Sequence, residues 1–94
     1  MLSKIPINID KIEPKDIDKE ILRAALIAEL DAINLYEEMA TLAKHNDIKK
    51  ILLDVAKEEK EHVGEFQTLL LRFDKEQVHE LEEGKKEVEE LTGR

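Results

Sequence analysis

The chain has 94 residues and a mass of 10.9 kDa, which allows one small domain with a modest core. Fifteen Lys and Arg against 23 Asp and Glu give a formal net charge of −8, and no basic cluster offers a footing for nucleic acid or an anionic membrane. The absence of Cys removes disulfides, thiolate metal sites and thiol catalysis together, and no apolar run approaches the roughly 20 residues of a membrane span.

Residues 1–14 read as an extended arm. Pro6 and Pro14 break any helix, and Ile5, Ile7, Ile9 and Ile12 stand among polar residues, suited to lying on a neighbouring surface. Residues 1–4 lead into no signal-peptide core, so the chain is expected to be cytoplasmic. A first helix is predicted over 15–44, with Asp16, Asp18 and Glu20 at the positive end of its dipole. Lys44-His45-Asn46-Asp47 is the turn signal in mid-chain, and Asn46 or Asp47 can cap the next helix. That second helix is predicted over 47–73, broken only at Gly64. Two helices of similar length, roughly 40–45 Å at 1.5 Å per residue, joined by a short loop form an antiparallel hairpin. Residues 74–91 are acidic and apolar only at Val78, Leu81, Val88 and Leu91. They predict a thin third helix, interrupted or ended near Gly84, and then a solvated tail. The expected fold is therefore a single all-α domain over 1–94: a two-helix hairpin plus a short C-terminal helix, half of a four-helix bundle that dimerisation completes.

Alternating three- and four-residue steps pick out Leu22, Ala25, Glu29, Ala32, Tyr36, Met39 and Ala43 on the first helix. The same steps give Ile48, Leu52, Val55, Glu59, His62, Phe66 and Leu69 on the second. Both are apolar seams of the kind that faces a partner helix. Each is interrupted by ionisable groups at its middle, and in an antiparallel hairpin the middles meet. A charged carboxylate in a dry helix interface costs several kcal/mol unless something pairs with it, and no Lys or Arg lies on either seam. Two carboxylates and an imidazole make a poor packing solution and a good cage for a first-row dication.

Glu59 and His62 form a Glu-x-x-His pair, one turn apart on one helix face, able to share an ion. Carboxylate-bridged di-iron bundles use one Glu from each of two helices and Glu-x-x-His from each of the other two. This chain supplies Glu29 and one such pair, which is half a site. Two chains supply the full set, so the metals are expected between the subunits of a homodimer. A two-helix hairpin also cannot cover its own apolar stripe, which Leu26, Leu30, Ile33, Leu35, Ile51, Leu53 and Leu70 widen, so more than one subunit contact is expected. Tyr36, two turns from Glu29 on the same face, can orient a ligating carboxylate by a hydrogen bond. Gly64 costs about 1 kcal/mol against Ala within a helix, which suggests close approach of another backbone.

Plainer readings exist for each residue alone. A single Glu on a seam is most often a register device or reaches to solvent, and a single Glu-x-x-His arises by chance in Glu-rich helices. Glu58 and Glu61 project off the seam. Glu65, one turn from His62, fits a surface position better than a site carboxylate. His45 and His79 read as surface residues, and Asp31 falls opposite Glu29 around the helix. The conjunction of Glu29, Glu59 and His62 at matching depth, with Tyr36 beside them, carries the metal reading.

Glu29-Leu30-Asp31-Ala32 followed by Leu35-Tyr36, together with Glu58-Glu59-Lys60-Glu61-His62, make the chain similar to the encapsulated ferritin-like proteins, short ferritin relatives housed inside encapsulin shells. The resemblance runs from about Pro14 to Phe73-Asp74-Lys75-Glu76. It implies a ferroxidase that oxidises Fe(II) to Fe(III) with dioxygen at a di-iron centre on a two-fold interface, for iron storage within an encapsulin nanocompartment. It further implies Glu29, Glu59 and His62 as iron ligands, Tyr36 beside the centre, and assembly into an open decameric ring. The family often has Trp where this chain has Leu35 and a further carboxylate where it has Ala28, while Asp31 matches an accessory acidic position. Leu91-Thr92-Gly93-Arg94 is not a shell-docking tail of the Gly-Ser-Leu type, which fits a domain of a shell fusion or another mode of docking. The rival expectation is a non-catalytic acidic helical scaffold or metal buffer. A di-metal oxygenase of the rubrerythrin kind ranks third, because the chain is short and has no enclosed substrate pocket.

Overall fold

Leu, Ala, Ile and Glu, strong or adequate helix formers, fill residues 17–42 with neither Gly nor Pro among them, and helix α1 runs Ile17–Leu42. It is entered from a single 3-10 turn, Pro14–Asp16, where proline's fixed φ suits the first position and its missing N–H costs no hydrogen bond. The computed structural model describes residues 9–11 and 13–94. The expected extended arm lies mostly outside the described residues; of its described part, Ile9–Lys11 is a 3-10 turn rather than extended chain, Glu13 is extended, and Pro14 opens the 3-10 turn that leads into α1.

Helix α1 ends where Ala43 turns to extended backbone, its N–H still bonded to the Met39 carbonyl at 2.9 Å. Helix α2 runs Asn46–Phe73, and its N-cap is His45 rather than Asn46 or Asp47. The His45 ring nitrogen Nδ1 accepts the Asp47 N–H at 3.1 Å, satisfying one of the orphan donors of the first turn. Helix α2 passes through Gly64 unbroken, and nothing lies within 4 Å of the place a Cβ would occupy there. The close approach expected at Gly64 is therefore not made within this chain.

Helix α3 runs Lys75–Thr92 without interruption at Gly84, a correction to the expected break. A single glycine weakens a helix by about 1 kcal/mol, and here capped ends offset that loss. Gly93 closes the helix in the left-handed conformation at φ 79°, with its N–H on the Glu89 carbonyl at 2.8 Å. Among the described residues there are three α-helices and no strand, and no helix is long and apolar enough to cross a membrane.

The hairpin core is narrower than, and rotated from, the seams drawn on the sequence. Its buried apolar residues are Leu22, Ile33 and Ala40 on α1 with Ala56 and Leu70 on α2. Seam residues Ile48 and Leu69 stay 54% and 40% exposed. Each helix carries an apolar face wider than one stripe. The inner edge meets the other helix, and the outer edge, with Ile21, Ile48, Ile51, Leu69 and Phe73, remains open. No residue of α3 is buried, and that helix leaves the hairpin as a separate limb.

One polar residue, Asp74, is buried among the described residues, at the junction of all three helices. Its N–H bonds to the Leu70 carbonyl at 3.0 Å and so closes α2. Its Oδ1 accepts the Gln77 N–H at 3.0 Å and so caps α3. Its Oδ2 accepts from Arg23 Nη2 of α1 at 2.8 Å. The Gln77 N–H, and then the Arg23 guanidinium and Lys19 beside it, hold this carboxyl below its ordinary range against the opposing effect of burial.

Candidate metal centre

The three ionisable residues on the seams come together midway along the hairpin. Glu29 is presented by α1, and Glu59 and His62 by consecutive turns of α2. His62 Nδ1 lies 3.5 Å from Glu29 Oε2 and 3.5 Å from Glu59 Oε2. One ligand atom from each of the three falls within 4.8 Å of the other two. Donors held at about 2.0–2.2 Å from one ion sit roughly 3–4 Å apart from each other, so this spacing suits a shared cation.

The environment agrees. The Glu29 and Glu59 side chains are 18% and 19% exposed, while His62 is more open at 43%. Glu29 Oε2 is buried and has no hydrogen-bond partner. A buried carboxylate oxygen left without a donor is costly, and a cation held between it, Glu59 and His62 would satisfy it. The donor set of two carboxylates and one imidazole fits a first-row metal such as iron.

Helix α1 offers Glu29 because Ala25 and Ala32 flank it one turn away on either side, leaving room for its side chain beside α2. The i, i+3 spacing on α2 aligns Glu59 and His62 on one face. Beside them opens a cleft of about 340 Å³, lined by Glu29, His62, Glu65, Phe66 and Leu69. Glu65, assigned a surface position from the sequence, is exposed and also forms part of this cleft.

Tyr36 is half-buried on the same face of α1, but within one chain its phenol does not donate to Glu29 Oε2, which is unpartnered. Asp31 is not part of the cluster. Glu58 and Glu61 are exposed, as are His45 and His79. The Asp74 junction was missed from the sequence, although Asp74 three residues before Gln77 is a capping-box spacing that could have shown the α3 cap. No signal in the sequence pointed to Arg23 as its third partner.

Comparison with known proteins adds descent to this geometry. Residues 20–92 match the family model described as Rubrerythrin. The chain is 61% identical, over 99% of its length, to a "Ferritin-like-encapsulin shell fusion protein" of Pyrococcus furiosus, of which it spans 28%. It is 42% identical over 68% of its length to the "Encapsulin nanocompartment cargo protein EncC" of Myxococcus xanthus, of which the match spans 52%. The chain thus covers only part of the curated relatives it matches. The crystal structure of the encapsulated ferritin domain from Pyrococcus furiosus superposes with a TM-score of 0.84 at 57% identity, covering 100% of this chain and 96% of that one.

Proposed function

The chain belongs to the rubrerythrin family of ferritin-like proteins, and from that premise we propose that it is a ferroxidase, oxidising Fe(II) to Fe(III) with dioxygen at a di-iron centre shared by two subunits. The observation that carries this reading is the buried, unpartnered Glu29 Oε2 beside His62, in a group of three residues that can hold an ion. Rubrerythrin names the kind of protein ranked third from the sequence; the match gives the family, and the activity is argued from the site.

Hard carboxylate oxygens favour the ferric over the ferrous state, so iron held there gives up an electron to dioxygen readily. The residues of the chain supply the rest. Glu29 and Glu59 bring two negative charges to a part-buried place, a charge that one ferrous ion neutralises. Two hairpins joined across the open face would bring four carboxylates and two imidazoles, matched by two such ions. Phe66 and Leu69 beside the site would help to exclude water from it once a second hairpin covers them. Tyr36, idle toward Glu29 Oε2 in one chain, is assigned a place beside the completed centre. His62 would add an imidazole ligand without adding a third carboxylate.

The working assembly in this reading is a homo-oligomer built on that dimer, with a decameric ring as the form the family resemblance implies. Its place is inside an encapsulin shell, for iron storage. The two relatives named for encapsulin support this partner. Their names cover more chain than the 28% and 52% matched here, and the shell partnership is part of the proposal.

The test is to load Fe(II) without air, measure mass by light scattering, count iron per chain, and then admit air. About one iron per chain in an even-numbered oligomer, followed by fast oxidation, is the expected result. Glu59→Ala and His62→Ala should each abolish fast oxidation and keep the helix content. An oligomer of the same mass that binds no iron would establish the scaffold reading instead.

A further inference from the structure

The cleft beside the centre has three polar residues in its wall, and only two of them belong to the proposed ligand set. Glu29 and His62 lie at its inner side, and Phe66 and Leu69 make its apolar wall. The third polar residue is Glu65, which is exposed and forms no ion pair among the described residues. Its place is set by helix geometry. Three residues past His62, it is one turn further along α2 and about 60° around the axis. Phe66 and Leu69 belong to the apolar stripe that a second hairpin would cover, and Glu65 stands at the edge of that stripe, on the solvent side.

We propose that Glu65 is the capture carboxylate of the iron site: it takes up the hydrated ferrous ion at the mouth of the cleft and passes it inward to Glu29, Glu59 and His62. This inference rests on the ferroxidase reading and names a residue that reading does not use. A single exposed carboxylate binds a hydrated dication weakly and releases it quickly. A weak outer ligand ahead of a tighter inner set is what transfer requires. The inner group already has a part-buried carboxylate pair beside an imidazole, where the ion is held more firmly. Glu61, one turn back on α2, is exposed as well but has no part in the cleft wall, so it provides the comparison residue.

The measurement is stopped-flow binding of Co(II) to the full-length oligomer, read by the visible absorption of Co(II) in a carboxylate–imidazole site. It is run on the parent, Glu65→Gln and Glu61→Gln. Glu65→Gln should bind the same amount of Co(II) per chain at equilibrium and keep the parent mass. Its association rate should fall about three- to tenfold at low salt, a difference that shrinks toward about 0.5 M salt as screening tightens. Glu61→Gln removes the same charge and should keep the parent rate. Equal rates in parent and Glu65→Gln would overturn the proposal, as would equal slowing in both variants, which would trace the effect to net charge. A parent that binds no Co(II) or Fe(II) would overturn the ferroxidase reading and this inference with it. Normal metal content with an unchanged Glu65→Gln rate would overturn this inference alone.

Discussion

Glu29 is the residue where packing and the proposed metal role conflict most plainly. Its carboxylate stands between two helices with one oxygen buried and accepting no hydrogen bond, 3.5 Å from a histidine that is itself 43% exposed. In the metal-free chain that oxygen lowers stability, since an unsatisfied buried polar group costs about 1–3 kcal/mol. The neighbouring positions Ala25, Ala32 and Ile33 are apolar, so a leucine in its place would extend the hairpin core. Glu29→Leu should therefore raise the metal-free Tm by several degrees, corresponding to about 1–3 kcal/mol. The same variant should lose the further rise that Fe(II) or Co(II) gives the parent, because ligand binding to the folded state adds stability only where the site exists. Thermal melts of both proteins, with and without metal, check both halves. A metal-free Glu29→Leu less stable than the parent would mean that the carboxylate has a structural partner of its own.

At the scale of elements, the helices were legible and their joints were not. Hydrophobic spacing pointed to the two helices observed over Ile17–Leu42 and Asn46–Phe73, because a long amphipathic run admits few other solutions, whereas the third was expected to end or break near Gly84. The meeting of Glu29 with Glu59 and His62 was legible too, since equal helices in a hairpin must match their midpoints. What escaped was decided by single groups: His45 in place of Asn46 or Asp47 as the cap, an unbroken α3 at Gly84, and Asp74 tied to Arg23 across 51 residues of sequence. Long-range pairs of this last kind leave no periodic trace. Asp74 carries a consequence for pH. Its folded carboxyl gives up its proton more readily than the ordinary value of 3.8, so its charged form is favoured by folding. The stability it contributes is complete above that ordinary value and disappears as pH falls through the lower folded one. Neutral to mildly acid solution should leave the α2–α3 joint intact, and stronger acid should loosen it. Hydrogen exchange at the Gln77 and Val78 amides reports the joint directly. Asp74→Asn keeps a capping oxygen and removes the charge, so this acid-dependent loss of protection should be absent in the variant. A variant whose protection falls with pH as the parent's does would move the cause to other carboxylates.

The whole chain has a shape that a solitary domain of this size does not take. Its radius of gyration is 16.7 Å, whereas a compact chain of 94 residues would have about 12 Å. It extends 46 × 43 × 19 Å, which is one hairpin thick with α3 as a limb to the side. The open apolar edge of the hairpin holds Ile21, Ile48, Ile51, Leu69 and Phe73, and the limb adds Val78, Leu81, Val88 and Leu91. Large apolar side chains exposed in this number on one chain point to an interaction surface. The Glu29, Glu59 and His62 group opens on the same hairpin edge, so in the proposed function one second copy would both cover that surface and complete the site. Ile51 separates this account from one in which the face stays solvated, because it is 65% exposed in the single chain and takes no part in the hairpin core. In a solvated face Ile51→Lys is neutral or slightly favourable. Under a second hairpin it places an unpaired charge in an apolar contact, a cost of several kcal/mol. Ile51→Lys should therefore reduce the oligomer to smaller species by light scattering, keep the helical circular dichroism of the parent, and lower iron content along with mass. A variant that retains parent mass would place Ile51 outside the contact. One that falls to monomer yet still binds about one tightly held iron per chain would show the half-site to be sufficient alone, against the carboxylate count of a shared di-iron centre.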